Sequence, residues 1–186
     1  MKYFKKLVGD RIYLSPRSVE DYEKYAEWLN DFQVTDYTGR SSKILTREAE
    51  KEYLEKNANV EAVFAIVELE TDKLLGSVGI ENIDHVNRSG TLGIFIGDKD
   101  YRSKGYGTES IRLVLEYGFK YLNLKNINLD VFAFNERAIK CYDKCGFKEY
   151  GRRRKCKFVN GVYYDVISMD ILDEEFEGDF IRNKNV

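Results

Sequence analysis

Apolar and polar positions along the chain follow two periods, which together predict an ordered series of strands and helices. Short alternating or continuous apolar runs predict strands, whereas apolar residues three or four positions apart over longer runs predict helices. The series predicts an α/β (α+β) domain, in which a mixed sheet carries helices on both of its faces. Seven strands are predicted at residues 11–14, 63–68, 75–83, 90–96, 127–134, 147–158 and 162–171, and four helices at residues 18–29, 46–56, 108–122 and 136–145.

Three segments between or after these elements have features of their own. Residues 34–45 are polar and irregular, so they are predicted to form a loop. The Asn160-Gly161 pair between the last two strands is a strong signal for a type I′ hairpin turn. The tail from Asp173 is acidic and then mixed in character, and we expect it to fray.

Length and composition are those of one globular domain. The chain has 186 residues, of which 43% are hydrophobic and 33% charged. A single domain is therefore predicted over residues 1–186, with its core at about 8–172 and a C-terminal tail at 173–186. The net charge of -2 gives no reason to expect a nucleic acid or an anionic membrane as partner. Because no apolar run has the roughly 20 residues of a membrane span and no signal-peptide core is present, a cytoplasmic location is expected.

A glycine-rich segment, Tyr101-Arg-Ser-Lys-Gly-Tyr-Gly-Thr108, lies between the fourth predicted strand and the third predicted helix. Glycines at 105 and 107 let the backbone approach a phosphate closely, and the first amides of the following helix point toward the same place. Arg102 and Lys104 add positive charge at the rim. The segment therefore predicts a site for a phosphorylated ligand, with a plain strand-to-helix turn as the alternative.

Two other kinds of phosphate-binding loop do not fit these residues. A Walker loop requires Lys-Ser or Lys-Thr after its last glycine, but Thr108-Glu109 follows Gly107 here. A dinucleotide-binding fingerprint requires a third glycine three residues after the second, and Ser110 stands at that position. The spacing Arg102-x-x-Gly105-x-Gly107 instead resembles the pyrophosphate loop of the GCN5-related N-acetyltransferases, the GNAT family.

A second segment strengthens this resemblance. The run Asn135-Glu-Arg-Ala-Ile-Lys-Cys-Tyr142-Asp-Lys-Cys-Gly-Phe147 closely resembles the second GNAT signature, Asn-x-x-Ala-(apolar)-x-x-Tyr-x-x-x-Gly-Phe. Asn135 stands where a helix N-cap belongs, and Tyr142 follows two helical turns later on the same side. The resemblance spans residues 8–172 and is closest to the branch with ribosomal-protein N-terminal acetyltransferases and spermidine acetyltransferases.

The resemblance implies a fold and a reaction. It implies a seven-stranded, mostly antiparallel mixed sheet whose fourth and fifth strands splay apart, so that the pantetheine arm of acetyl-CoA fills the gap. The implied reaction is direct acetyl transfer to a primary amine of a small molecule, such as an amino sugar or a polyamine, in a ternary complex. Acetylation of a protein N-terminus stays open, and so does a non-catalytic module that binds acyl-CoA.

The proton-transfer groups are also implied by the resemblance. Tyr142 matches the signature tyrosine that protonates the departing CoA thiolate, although an aromatic core residue is the alternative. Thr91 stands where relatives in this branch often carry a glutamate base, and Thr91 cannot serve as a base near neutral pH. Glu81 is the next candidate base, with Asp84 third. An exposed strand carboxylate is the alternative for Glu81, and a chain of water molecules could replace a dedicated base.

Residues around the two signatures are expected to hold acetyl-CoA. Asn135 is expected to hydrogen-bond the pantetheine arm or hold the splay open, unless it is only a helix cap. Lys140 and Arg137 could meet the 3′-phosphate, although a solvated charged face is the alternative. The backbone of residues 94–96 is implied to line the arm, with an oxyanion-stabilising amide near Phe95. The expected cofactor-binding residues are Phe95, Ile96, Arg102, Ser103, Lys104, Gly105, Tyr106, Gly107, Thr108, Asn135 and Lys140.

The remaining charged residues and cysteines bear on which acceptor, metal ion or partner chain the protein can bind. The loop at residues 30–43 carries acids and bases in equal measure, which weakens the polyamine alternative without excluding it. Cys141, Cys145 and Cys156 are interpreted as small buried apolar residues, and no metal site is expected because one distant histidine adds too few ligands. The basic run at 152–155 is interpreted as protection of an edge strand. The sequence does not reveal the oligomeric state and leaves a homodimer open.

Overall fold

Eight strands form a single sheet among residues 2–183, the part of the chain that this computed structural model describes. The sheet has the order β1-β2-β3-β4-β5-β6-β8-β7. Every neighbouring pair is antiparallel except β5 and β6, which are parallel. The strands are β1 Leu7–Val8, β2 Ile12–Pro16, β3 Val63–Glu68, β4 Leu74–Asp84, β5 Ser89–Ile96, β6 Asn126–Phe132, β7 Lys148–Val159 and β8 Val162–Leu172.

Five α-helices accompany the sheet in the described part of the chain. None of them is long and apolar enough to cross a membrane. The predicted α/β class and mixed sheet are confirmed, whereas the single-domain assignment for residues 1–186 stays a prediction, and Met1 and residues 184–186 lie outside the described residues. The helices are α1 Tyr22–Leu29, α2 Phe32–Thr38, α3 Arg47–Lys56, α4 Tyr106–Lys120 and α5 Glu136–Asp143.

Successive side chains along the strands point to opposite faces of the sheet and pack into two separate cores. In β2, Ile12 and Leu14 join a cluster with residues of α4, whereas Tyr13 between them joins a cluster with residues of α1 and α3. The same alternation divides Ile66 from Val67 in β3. The period of two along these strands therefore places helices on both faces of the sheet, as the sequence pattern predicts.

The sheet opens between β5 and β6. These two strands pair only through Ser89–Asn126, Gly90–Ile127 and Thr91–Asn128, although β5 continues to Ile96 and β6 to Phe132. Residues 92–96 stay paired with β4 on their other side, up to the Gly76–Ile96 pair. On the side toward β6, the backbone of residues 92–96 therefore has no ladder partner among the described residues. This opening is the splay that the family resemblance implies.

Two short elements were not predicted. Strand β1 adds an eighth strand beside β2 at the edge of the sheet. Helix α2 lies in the segment predicted to be a loop, so that prediction is wrong for its first half. The Asp31 side chain caps the helix by accepting from the backbone N–H of Gln33, and Gly39 ends it at a φ of 72°. Only Val34 and Thr35 of this helix are buried, so its sequence lacks the apolar stripe that signals a helix.

The hairpin turn between β7 and β8 is as predicted. Asn160 has a φ of 47° and Gly161 a φ of 81°, the two positive values that a type I′ turn requires. The turn joins the two strands directly through the Val159–Val162 pair. Strand β7 is exposed over most of its length and forms the edge of the sheet, which agrees with the interpretation of its basic run.

The tail does not fray within the described residues, so that prediction is wrong up to residue 183. Ile181 is buried at 4% exposure, and its backbone N–H donates to the fully buried carboxylate of Glu116, 3.1 Å away. The backbone N–H of Arg182 donates to the carbonyl of Val8 at 2.7 Å. The tail therefore packs against the core cluster that contains Ile12, Leu14 and residues of α4. The mixed composition of the tail does not predict this contact.

We expect Ile181→Ala to lower the free energy of unfolding by about 2–4 kcal/mol, because it removes a buried side chain and leaves a cavity. Urea unfolding followed by circular dichroism measures this change. Ile44→Ala is the matched control, because Ile44 is 93% exposed and its loss should change the free energy by no more than about 0.5 kcal/mol. Equal effects of the two substitutions would mean that the tail does not dock as described.

Candidate active site

The opening between β5 and β6 leads into a cleft of about 1060 Å³. Its walls come from β4, β5, the glycine-rich loop at 101–108, the start of α4, helix α5 and helices α1 to α3. Of the residues predicted to act in catalysis or to bind the cofactor, Lys104, Tyr106 and the third candidate base Asp84 do not line it. The cleft brings together Glu81, Phe95, Ile96, Arg102, Ser103, Gly105, Gly107, Thr108, Asn135, Lys140 and Tyr142.

The 101–108 loop turns the chain sharply into helix α4. Ser103 has a φ of 60° and Gly105 a φ of 88°, and helix α4 begins at Tyr106 with Gly105 as its N-cap. No side chain caps this helix. The backbone N–H groups of residues 106–108 have no acceptor within the helix, and they carry the positive end of its dipole. The loop can therefore bind an anion through its backbone.

Arg11 and Glu109 fix this loop to the rest of the fold. The Nη1 atom of Arg11 donates to the carbonyl of Lys104 at 2.9 Å, and its Nε donates to the Glu109 carboxylate at 3.0 Å. The same carboxylate accepts the backbone N–H groups of Asp10 and Arg11, both at 2.8 Å. A Cβ atom on Gly105 would lie 3.1 Å from Arg11 Nη2, so the guanidinium lies directly against the loop. The side chain of Lys104 is exposed and its carbonyl is the group that is held.

Two tyrosines hold the loop from the side of strand β3. The Glu68 carboxylate accepts hydrogen bonds from the hydroxyls of Tyr101 at 3.0 Å and Tyr106 at 3.3 Å. The two rings contact each other with their centroids 5.2 Å apart. A hydrogen bond from Thr71 and these two phenols hold the pKa of Glu68 below its ordinary value. Tyr106 therefore supports the loop from behind rather than lining the cleft.

Arg102 lies at the point where strand β5 ends. Its guanidinium donates to the carbonyl of Ile96 at 3.0 Å and to that of Gly97 at 2.7 Å. These bonds hold a positive charge at the rim of the cleft, at the splayed end of β5. The Arg102 side chain can therefore attract an anion that is bound in the loop, and it also satisfies the carbonyl groups at the end of β5.

Helix α5 carries Tyr142 into the cleft. The Asn135 side chain caps the helix by accepting from the Ala138 N–H at 3.2 Å, which fixes where the helix begins. The Tyr142 ring contacts Phe147 edge-on with the centroids 5.8 Å apart. Burial raises the pKa of Tyr142 well above its ordinary value, and Cys141 and Cys145 act in the same direction. The phenol therefore stays protonated at neutral pH and can donate a proton or a hydrogen bond.

Cys141, which the sequence analysis interprets as a small buried apolar residue, is only half-buried and lines the cleft, so that prediction is wrong for it. Its sulfur lies 3.2 Å from the hydroxyl oxygen of Thr108, in the first turn of α4. A hydrogen bond with the Cys145 thiol, against the effect of burial, lowers the pKa of Cys141, and Thr108, Lys144 and Arg112 contribute. Cys145 is buried as predicted, whereas Cys156 is exposed on the edge strand β7, so the prediction of a buried residue is wrong there.

The candidate bases differ in their surroundings. Glu81 is exposed, lines the cleft and pairs across the strands with Thr91. The Asp84 carboxylate accepts the backbone N–H groups of Asn87 at 2.8 Å and Val86 at 2.9 Å, and these bonds lower its pKa. Asp84 therefore stabilises the β4–β5 turn and does not line the cleft. The Thr91 hydroxyl donates to the Asn128 side chain at 3.2 Å.

The far end of the cleft contains polar groups that the sequence interpretation missed. Helix α1 contributes Tyr25 and helix α3 contributes Glu50, both of which are buried, and Arg17 and Arg40 lie nearby. Burial raises the pKa of Glu50, and the two arginines oppose the shift. In residues 2–183, no group of three or more His, Cys, Asp or Glu side chains is arranged to hold a metal ion.

Comparisons with known proteins agree on one family. A family model described as "Acetyltransferase (GNAT) domain" matches residues 11–148. The "SPbeta prophage-derived uncharacterized N-acetyltransferase YokL" of Bacillus subtilis is 35% identical over 132 residues, which cover 70% of this chain and 71% of YokL. The "Spermidine N(1)-acetyltransferase" of Vibrio cholerae is 36% identical over 111 residues, which cover 60% of this chain and 64% of that protein.

Solved structures agree with the sequence comparisons. The crystal structure of a spermidine N-acetyltransferase from Vibrio cholerae, in complex with CoA and spermine, superposes with a TM-score of 0.82 at 27% identity. The superposition covers 89% of this chain and 97% of that one. The fold is therefore shared with a protein whose complex contains CoA.

We expect Cys141 to be alkylated by iodoacetamide at lower pH than an ordinary thiol, because the thiolate is the reacting form and its pKa is lowered. The midpoint of the rate against pH should lie at least about one unit below the ordinary value of about 8.5. Mass spectrometry of the Cys141 peptide over a pH series measures it. Thr108→Val is the control, because it removes one hydrogen bond to sulfur and should raise the midpoint. A midpoint at or above the ordinary value contradicts the described environment.

Proposed function

The chain belongs to the GNAT family of acetyltransferases, and we propose that it transfers the acetyl group of acetyl-CoA to a primary amine of a small molecule. As a member of this family, it is an N-acetyltransferase that transfers an acyl group to an amine. The proposal concerns the co-substrate, the acceptor and the residues that act. The observation that carries it is that the splay, the anion-binding loop and Tyr142 all meet in one cleft.

The loop would bind the diphosphate of acetyl-CoA. The amides of residues 106–108 point outward at the positive end of α4, and Arg102 keeps its charge at the same rim. A Cβ atom on Gly107 would meet only Cys141 Sγ and Ile94 Cδ1, both at 3.9 Å, so the surface there is open. Lys140 lies on the exposed face of α5 at 74% exposure, where it can meet a further phosphate. The CoA complex of the Vibrio cholerae relative supports this choice of co-substrate.

The splay would hold the pantetheine arm. The arm carries two amide groups, and the open edge at residues 92–96 offers backbone N–H and C=O groups that need partners, apart from the Ile96 carbonyl that Arg102 already holds. The arm would therefore add to β5 as a short strand where β6 has turned away. Ile94, Phe95 and Ile96 all line the cleft at this point. Asn135 is 8% exposed at the base of α5 and would keep the two strands apart.

The chemical step would be direct attack of the neutral amine on the thioester. The amine forms a bond with the carbonyl carbon, and a backbone N–H on the open side of β5, near Phe95, would stabilise the oxyanion that results. Collapse of this intermediate breaks the carbon–sulfur bond, and Tyr142 would give its proton to the departing thiolate. Burial keeps Tyr142 protonated until that step, so the group is in the correct form to act as the acid.

The protonated amine must lose one proton before it can attack, and its nitrogen must lose a second proton as the amide forms. Glu81 is our proposed base, because it lines the cleft beside the splay and is open to water. Thr91, which faces Glu81 across the strands, has no basic group. Because Asp84 is held in its turn, it does not compete for this role. A chain of water molecules to bulk solvent is the remaining route for the proton.

The acceptor end of the cleft carries balanced charge. Arg17 and Arg40 line the cleft together with Glu50 and Glu81, whereas a polyamine with several positive charges is held best by an excess of acids. The Vibrio cholerae relative was crystallised with spermine, so a polyamine belongs in any screen. The balance supports a small amine with one positive charge or with additional neutral polar groups.

The direct test is release of free CoA thiol from acetyl-CoA in the presence of amines and peptides. We expect small primary amines to be turned over and peptides with free N-termini to react much more slowly. Tyr142→Phe should lower kcat by about a hundredfold and leave the KM for acetyl-CoA nearly unchanged, because it removes only the proton donor. Tyr163→Phe is the control on the exposed hairpin and should behave as the wild type. If only peptides were acetylated, the acceptor would be a protein N-terminus rather than a small amine. If no amine and no peptide were acetylated, the proposed function would be wrong.

We expect Gly105→Val to weaken CoA binding by at least about a hundredfold, because several charge-assisted hydrogen bonds to the diphosphate depend on the loop. Gly105 adopts a φ of 88°, which valine rarely accepts, and the new side chain would press on Arg11. Isothermal titration calorimetry measures the affinity. Gly161→Val is the matched control, because Gly161 has a φ of 81° with nothing within 4 Å of the added Cβ and lies in the hairpin turn. Equal affinity in the two variants would exclude the loop as the diphosphate site.

A further inference from the structure

We propose that Tyr25 and Glu50 form a subsite for a hydroxyl group of the amine acceptor, and that the natural acceptor is therefore a hydroxylated primary amine. The inference rests on the proposed function and specifies the substrate class of the same cleft. It concerns the end of the cleft formed by α1 and α3, across from the Tyr142 side. Its basis is a pair of buried polar groups without hydrogen-bond partners in the described part of the chain.

The first group is the hydroxyl of Tyr25. Tyr25 is 2% exposed and lines the cleft, and its ring contacts Phe95 of the splayed strand edge-on at 6.2 Å. Among the residues that the structure describes, its hydroxyl is the one fully buried side-chain polar atom without a hydrogen-bond partner. A buried hydroxyl without a partner is destabilising, and native folds rarely leave one so. A partner supplied by a ligand accounts for the exception.

Two other buried tyrosines mark Tyr25 as an exception. The hydroxyl of Tyr3 donates to Asp21 at 2.9 Å, and that of Tyr13 donates to Asp72 at 2.7 Å. Both rings are packed in the same core cluster as the ring of Tyr25. Of these three tyrosines, Tyr25 alone lines the cleft, and it is the one whose hydroxyl has no acid as a partner.

The second group is the carboxylate of Glu50. Glu50 is 4% exposed and lines the cleft, and within residues 2–183 its carboxylate forms no hydrogen bond and no ion pair. Arg17 and Arg40 lie near enough to oppose the effect of burial on its pKa, but they do not contact it directly. Burial and Asp21 raise the pKa of Tyr25, Arg17 lowers it, and Glu50 raises it as well. Helices α1 and α3, which carry Tyr25 and Glu50, pack against each other, so the two groups share one part of the cleft. Like Tyr25, Glu50 lines the cleft and has unused hydrogen-bonding capacity.

The charges around the pair favour a neutral group over a cation. Arg17 and Arg40 already compensate Glu50, so a second ammonium group of the acceptor would gain little attraction and would meet two arginines. A hydroxyl can donate to the Glu50 carboxylate and accept from the Tyr25 O–H at the same time. One hydroxyl therefore satisfies both groups, whereas an ammonium, which only donates, leaves the Tyr25 proton without an acceptor.

The test measures turnover of acetyl-CoA with three series of acceptors, which are amino alcohols, simple alkylamines and diamines. Each series covers every chain length from ethyl to hexyl. At the best length, kcat/KM for the amino alcohol should exceed that for the alkylamine by about tenfold or more, because the alkylamine leaves two buried groups unpaired. The diamine of that length should show no such advantage. Glucosamine extends the series to an amino sugar.

Substitutions test whether the preference for a hydroxylated amine depends on Tyr25 and Glu50. Tyr25→Phe should lower the ratio between amino alcohol and alkylamine to about twofold or less, and Glu50→Gln should lower it as well, because an amide oxygen is a weaker acceptor than a carboxylate. Tyr22→Phe is the matched control, since Tyr22 lies on the same helix but does not line the cleft, and it should keep the ratio. The thermal midpoint of Tyr25→Phe should equal or exceed that of the wild type, because the variant lacks the buried hydroxyl without a partner.

The outcomes separate this inference from the proposed function. Turnover of amines without a preference for the hydroxyl, or with a preference for diamines, overturns the subsite and leaves the acetyltransferase proposal intact. A clear fall in the thermal midpoint of Tyr25→Phe also overturns it, because the hydroxyl would then have a structural partner. If no amine in any series is turned over, the proposed function itself fails.

Discussion

The carboxylate of Glu109 holds together the part of the molecule on which the cleft depends. It lies in the first turn of α4, where a negative charge is favoured by the helix dipole, and it accepts backbone N–H groups from the turn between β1 and β2. It also binds Arg11, whose guanidinium holds the carbonyl of Lys104. Neither side chain bonds the loop amides, so these amides stay free to bind an anion. Arg11 also offsets the negative charge of Glu109, which would otherwise repel that anion. Two side chains that are 98 residues apart in sequence thus fix a loop that glycine alone would leave mobile.

The second constraint is the early separation of two parallel strands. Strands β5 and β6 pair through Thr91 and Asn128 and then diverge, so the sheet has an open backbone edge at its centre rather than at its margin. The loop that follows β5 and the helix that follows β6 both begin at the open end, which brings the anion-binding amides and Tyr142 into one cleft. The opposite wall comes from α1 and α3, where Tyr25 and Glu50 are buried. One wall is thus built from a backbone that can bind a cofactor, and the other from side chains that can select an acceptor.

The sequence predicted the features that depend on neighbours along the chain. Two signatures, each confined to about a dozen residues, gave the family, the loop and the positions of Asn135 and Tyr142, and Asn160-Gly161 gave the hairpin turn. Helix α2 was missed because its polar sequence buries only Val34 and Thr35. The docked tail was missed because its contacts, such as that of Ile181 with Glu116, join residues far apart in sequence. The same reason hid Arg11 and Glu68 as supports of the loop, and the hydroxyl of Tyr25, whose lack of a partner is visible only in three dimensions.

The most direct measurement of the central claim is a crystal structure of the protein with CoA. We expect diphosphate oxygens within hydrogen-bond distance of the backbone N–H groups of residues 106–108, with Arg11 still bound to the carbonyl of Lys104. The pantetheine amides should pair with the open edge of β5, and the sulfur should lie beside Tyr142. CoA bound at another place, or a cleft in which β6 closes onto residues 92–96, would contradict it.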